Sequence, residues 1–330
     1  MKKDNKEFLL NDKELKKAYK KAKFFTIIRT IVIVILVTIP LYISFIKINT
    51  RVTYKIGTEY YNEIKKILEI TKPHSYISQV NDIIGIFGAS GQYTVSKELG
   101  YRSVELYDET SQYGLISGFV PKRILMYETR GSSMHNLDEW PISIDKSDNL
   151  KMIAFHPDID YKEYKNDLAL LNKVDADTLI EMTLSLDKKY KANEILEILP
   201  NINISELLID GYTEEQIKKY KEEVSKNYSK STFISESEFI RLGVSPMFRN
   251  DPIADVSERY EEMLNNLQSD YKSTFYKDKF NSIFNTLKSK DQLEGDAVDI
   301  IGVVVYGSSE ELQLLKENPH IKASSVGIVT

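Results

Sequence analysis

One stretch limits what this chain can become more than any other. Phe24 to Ile46, FFTIIRTIVIVILVTIPLYISFI, is 23 residues long and carries a single charge, Arg29. As a helix it reaches about 34 Å, enough to cross a hydrocarbon core of roughly 30 Å. Arg29 lies close enough to the basic end to snorkel its guanidinium to the headgroups. Pro40 falls in the far half, where membrane helices accept a kink. A cleaved signal has a shorter apolar core and small residues at its cleavage site, whereas Lys47-Ile48-Asn49-Thr50-Arg51 follows here. The expectation is a retained span over 24–46.

Charge orients that span. Residues 1–29 hold nine Lys and one Arg against four acids, a balance of +6, so the remainder of a chain of net charge −5 carries −11. Lys13, Lys16, Lys17, Lys20, Lys21 and Lys23 crowd the N-terminal flank, which the positive-inside rule keeps in the cytoplasm. The expected layout is a cytoplasmic basic segment over 1–23, the span over 24–46 and an extracytoplasmic remainder. The acidic excess of that remainder speaks against a nucleic-acid surface. The chain has no cysteine, which excludes disulfides, Cys-ligated zinc, iron–sulfur clusters and thiol nucleophiles.

The inner segment, FLLNDKELKKAYKKAK, has its own pattern. Asn11 and Glu14 have capping-box spacing, and Phe8, Leu9 and Leu10 precede them. Leu15, Ala18, Tyr19 and Ala22 then fall at i, i+3, i+4 and i+7, one apolar stripe among lysines. Such a helix either rests on anionic lipid or lays its stripe into a partner's groove.

Beyond the span, 47–150 reads as a helix followed by a strand-rich module. Tyr60, Ile64, Ile67 and Leu68 repeat at helical spacing, Gly57 weakens the helix start, and Pro73 ends it. Residues 74–150 alternate apolar and polar between glycines, as short strands and turns do, including GLISGFVPKRILMYET over 114–129. Trp140-Pro141 is the expected packing anchor of the looser stretch 129–150.

Residues 151–330 contain an internal repeat. Residues 179–210 and 298–329 match without a gap at an offset of 119, pairing Leu184 with Val303, Leu186 with Val305, Ile195 with Leu314 and Pro200 with Pro319. Each copy reads as strand, helix, strand. Two such units predict an α+β module in a ferredoxin-like split arrangement, with a largely helical insertion over 211–295 broken by RLGVSPMFRNDP.

Motifs for catalysis are missing. GIFGASG, residues 85–91, lacks the Gly-Lys-Ser/Thr ending of a phosphate loop and the closing glycine of a nucleophile elbow. The four histidines (His74, His135, His156, His320) form no metal-spaced pair. In HPDID, His156, Asp158 and Asp160 could converge on one point, although such alternation is commoner at turns than at metals. Asn250-Asp251 reads as a turn. The expectation is a protein without catalytic residues, cofactor or metal.

Several stretches together resemble the sigma factor regulators of Gram-positive bacteria, membrane-bound anti-sigma factors. ELKKAYKKAKFFTIIRTIVIVILV is similar to the inner helix and span of that family's N-terminal module, and TEYYNEIKKILEITKPHSYISQV to the segment after it. IEMTLSLDKKYKANEILEILP and DIIGVVVYGSSEELQLLKENPHIKASSVGIV resemble its C-terminal module. The resemblance implies that the inner segment binds an extracytoplasmic-function sigma factor and that the outer domain relays an envelope-stress signal. It makes Leu15, Ala18, Tyr19 and Ala22 the partner-binding stripe. With so short an inner segment, it further implies coupled folding on the sigma factor or help from a second small membrane protein. The alternative is an anchored outer module that binds a lipid or cell-wall ligand, with no sigma partner.

Overall fold

The structure is a computed structural model and describes residues 12–115, 118–119, 131–133, 140–145, 147–226, 230–244 and 252–330. Phe8, Leu9, Leu10, Asn11, His135, Asn250, Asp251 and most of the strand expected over 114–129 lie outside the described residues.

A single helix, α1 (Asp12–Thr71), runs 60 residues through Pro40 and Gly57 without a break. Phe24 to Ile46 are all exposed, and among the described residues the contact made on them is that of Phe87 with Phe45 near the far end. Inside this stretch Thr26 and Thr30 donate their hydroxyls back to Ala22 O and Thr26 O, both at 2.9 Å, so these two donors are satisfied within the helix. This one N-terminal apolar helix fits a single-pass membrane anchor. Beyond it the same helix enters the folded body, where Tyr60, Ile64, Ile67 and Leu68 are buried as their spacing predicts.

Gly57 is not a weak helix start. A Cβ there would lie 2.6 Å from Cε2 of Tyr113, so the absent side chain is what lets the helix lie against the sheet. That sheet is an antiparallel meander of β1 (Ser75–Ile84), β2 (Ala89–Leu99), β3 (Arg102–Gly114) and the short β4 (Gly118–Phe119). Tyr60 and Tyr61 of α1 meet Tyr93 and Tyr113 of the sheet, with ring centroids 5.5 to 6.5 Å apart.

Three minor strands follow. β5 (Gly131–Ser133) pairs with β6 (Ile142–Ile144), and β7 (Ile153–Ala154) pairs with a later segment. Trp140 packs edge-on to Phe155 at 5.4 Å, the anchor its sequence position promises.

The repeat forms as two strand–helix–strand units. The first is β8 (Leu179–Tyr190), α2 (Ala192–Ile198) and β9 (Asn203–Ile209). The insertion holds α3 (Glu214–Lys226), β10 (Ile234–Ser235, the partner of β7), β11 (Arg241–Gly243), α4 (Pro252–Leu267) and α5 (Thr274–Ser289). The second unit is β12 (Ile300–Ser308), α6 (Ser309–Gln313) and β13 (Ile321–Val329). Their sheet has the order β11-β9-β12-β8-β13 with every neighbour antiparallel. Leu184 lies opposite Val303, and the flanking pairs Thr183 with Val304 and Ser185 with Gly302 exchange under the 119-residue offset. Equivalent residues that face each other across an antiparallel pair are what a local two-fold axis between two copies requires. The segment read as a break, RLG, instead adds β11 as an edge strand, because its backbone pairs with Leu208, Leu207 and Glu206 of β9.

Both faces of this sheet are covered. Val303, Val305 and Leu184 share one core with Ile64 and Ile67 of α1 and Val95 of β2. Val304, Ile301 and Leu208 pack on the other side with Met152, Ile234, Phe239 and Tyr212. That double cover explains why β12 reads as a continuous apolar run rather than an alternating one.

Candidate functional site

The N-terminal stripe stands on the first turns of α1. At 100° per residue, Leu15, Ala18, Tyr19 and Ala22 fall within an arc of about 100°. All four are exposed, Leu15 at 51% and Tyr19 at 69%, and no described residue covers them. A contiguous apolar strip flanked by Lys16, Lys17, Lys20 and Lys21 is suited to a groove with an apolar floor and acidic rims.

The stripe is joined to the folded body by one continuous helix. Near its far end α1 is fastened to the helical insertion by polar contacts. Glu63 accepts the backbone N–H groups of Lys272 and Ser273, both at 3.1 Å, and so caps the start of α5. Glu59 pairs with Lys272 at 2.6 Å, and Glu69 accepts from Asn266 of α4 at 2.8 Å. A lateral shift of α1 therefore carries α4 and α5 with it.

Behind the helix lies a buried charge cluster that sequence reading missed. Lys97 of β2 reaches Glu181 of β8 at 2.6 Å and Glu206 of β9 at 2.5 Å. Arg241 of β11 holds the other oxygen of Glu206 at 3.1 Å and Glu236 at 3.1 Å, while Glu236 also accepts from Met152 N at 2.9 Å. The side chains of Lys97, Glu181, Glu206 and Arg241 are at most 4% exposed. Burial opposes charge on every member, yet Arg241 and Lys72 hold Glu236 down at about 2, and Glu181 and Glu206 hold Lys97 up at about 12. Glu206, between two cations, is lowered against the same burial, whereas burial leaves Glu181 raised. The cluster ties the N-terminal meander to the C-terminal sheet through charges that cannot be separated cheaply. One signal for it was in the sequence: a lone acid inside each of the apolar runs LIEMTL and ISELLI.

HPDID converges only in part. His156 and Asp158 lie with Asp210, not Asp160, which is exposed. His156 Nε2 is 3.2 Å from Asp210 Oδ1, and Asp210 also pairs with Lys189 at 2.7 Å and Lys290 at 2.9 Å. Lys189 pairs with Asp158 as well, at 2.7 Å. Burial raises the Asp210 carboxyl, but His156 and the lysines pull it well below the usual range. Lys189 bridges Asp158 and Asp210, and Lys290 adds a second ammonium group to Asp210, so the group reads as a salt-bridged clamp.

A cleft of about 450 Å³ opens between the end of α1, α4 and the sheet edge, lined in part by Ile70, His74, Glu98, Leu242, Met263 and Tyr306. His74 has φ 63° and its Nε2 lies 2.8 Å from Ser205 O, joining the end of α1 to β9.

Residues 16–104 match the family described as sigma factor regulator N-terminal, and residues 171–328 match sigma factor regulator C-terminal. No curated protein and no solved structure matches the chain. The first match takes in Ala18, Tyr19 and Ala22 of the exposed stripe, the apolar helix and the meander through β2, and the second takes in both strand–helix–strand units. With about three quarters of its length matched in the expected order, the chain belongs to the sigma factor regulator family.

Proposed function

We propose that this regulator is a membrane-anchored anti-sigma factor. Its N-terminal segment sequesters an extracytoplasmic-function sigma factor in the cytoplasm, and its outer body relays an envelope signal to that segment. Family membership gives the chain a role in sigma factor regulation and a sigma factor as its partner. The observation that carries the finer reading is α1 itself. One unbroken helix presents Leu15, Ala18, Tyr19 and Ala22 at one end and is locked into the outer core at the other. The reading is non-catalytic: binding removes the sigma factor from RNA polymerase, and a change in the outer body moves or releases the helix. A segment this short folds on its partner or is joined there by a second small membrane protein.

Full-length protein, purified in detergent, tests this against the purified extracytoplasmic-function sigma factors of its host. Burial of Leu15 and Tyr19 contributes roughly 1.5–3 kcal/mol each, so the double variant Leu15→Ala/Tyr19→Ala should weaken capture about a hundredfold or more. Equal affinity of parent and double variant for every such sigma factor would reject the stripe as the contact.

We further infer that the four long strands of the C-terminal module form a ferredoxin-like split arrangement. The order β9-β12-β8-β13 and the exchange of pairs about Leu184 and Val303 support it. An experimental structure with a different strand order would end that assignment.

A further inference from the structure

The tip of the β1–β2 hairpin is apolar where a hairpin tip is normally polar. It reads Ile83-Ile84-Gly85-Ile86-Phe87-Gly88, and the four large side chains are exposed, Ile83 at 78%. The nearest acid, Asp82, is turned inward. Its carboxylate accepts hydroxyls from Tyr61 at 2.5 Å, Tyr113 at 2.8 Å and Ser111. The tip therefore presents no charge of its own.

Its position is fixed by α1. The Phe87 ring sits edge-on to Phe45 with centroids 5.9 Å apart, and buried Asn49 donates to Gly85 O at 2.9 Å. Phe45 is the penultimate residue of the apolar span, and Asn49 lies only about 4.5 Å beyond its end. Phe87 thus stands beside a side chain that belongs to the hydrocarbon boundary. An exposed apolar cluster continuous with a membrane-spanning stretch has lipid as its natural cover.

We propose that the β1–β2 tip inserts into the lipid leaflet on the side of the folded body, with Ile83, Ile84, Ile86 and Phe87 at the level of the headgroup–acyl boundary. The body is then held to the membrane at two points, the helix and the loop, and its tilt is fixed against the plane of the bilayer. The proposal does not depend on which side the body occupies or on the sigma factor.

The natural absence of cysteine makes a direct test available. Single-cysteine variants of the full-length chain, Ile86→Cys, Phe87→Cys and Tyr101→Cys, carry an environment-sensitive fluorophore in nanodiscs containing nitroxide-labelled phosphatidylcholine. Tyr101, 81% exposed, lies just beyond the other end of β2, about 35 Å away. Labels at 86 and 87 should lose at least half their emission to the lipid nitroxide, and the label at 101 less than a tenth. Quenching at 86 and 87 no greater than at 101, in variants whose Trp140 emission and melting midpoint match the parent, would overturn the proposal. So would spin labels at 86 that broaden each other in nanodiscs holding two copies while lipid quenching is absent, since the tip would then cover a second copy.

Discussion

Removing Lys97 should unfasten the two halves of the folded body. The ammonium lies 2.6 Å from Glu181 and 2.5 Å from Glu206, all three almost fully buried. In Lys97→Met the van der Waals volume is nearly kept, but two carboxylates remain. Glu206 still has Arg241, while Glu181 is left without its ammonium partner. Breaking a buried pair from one side costs about 3–5 kcal/mol, and for a body of this size that corresponds to a fall in melting midpoint on the order of 10 °C. Because the cost is that of stranded charge, Lys97→Met/Glu181→Leu should recover much of it, with a coupling of about 2 kcal/mol or more. Urea titration of the full-length protein in micelles, followed by the fluorescence of Trp140, gives both values. A Lys97→Met loss under about 1 kcal/mol, or strict additivity in the double variant, would refute the picture of a charge-locked joint.

Acid should loosen the same joint. Glu236, held at about 2 against an ordinary 4.5, favours the fold above pH 4.5, and that contribution is lost as pH falls towards 2. Glu206 and Asp210 shift in the same direction, while raised Glu181 is relieved on protonation and works against them. Melting midpoints should drop between about pH 4.5 and 2, with a shallower slope in Glu236→Gln; an unchanged slope would contradict the assignment. Gly57→Val should cost about 1–3 kcal/mol, because Tyr113, pinned by its hydroxyl bond to Asp82, cannot swing from the new side chain; an unchanged urea midpoint would contradict that close approach. Glu63→Ala should cost about 1–2 kcal/mol by uncapping α5, whereas Glu63→Gln should cost less because it keeps one acceptor. Amide exchange at Lys272 and Ser273 that is no faster in Glu63→Ala would speak against the cap.

The features legible in the sequence are those carried by local periodicity. The 23 apolar residues, the spacing of Tyr60, Ile64, Ile67 and Leu68, and the 119-residue repeat each report one element's own face or length. What could not be read depends on contacts between distant segments. Lys97, Glu181, Glu206 and Arg241 are spread over 145 positions, and although Glu181 and Glu206 stand out as lone acids among apolar neighbours, nothing local names their partners. Gly57 looked like a helix weakness because its reason for being glycine is Tyr113, 56 residues later. Asp210, rather than Asp160, completes the group at His156 because the end of β9, not the local HPDID turn, brings a carboxylate there. β11 was hidden for a similar reason: three residues carry too little periodicity to declare a strand before a partner edge exists.

The central claim is that α1 connects two compartments, with the stripe inside and the body outside. Single-cysteine variants Tyr19→Cys and Tyr101→Cys in wall-stripped, unbroken cells, exposed to a membrane-impermeant maleimide, test it most directly. Labelling at 101 before lysis, and at 19 only after it, is the predicted result. Labelling at 19 in unbroken cells, or protection at 101, would contradict it.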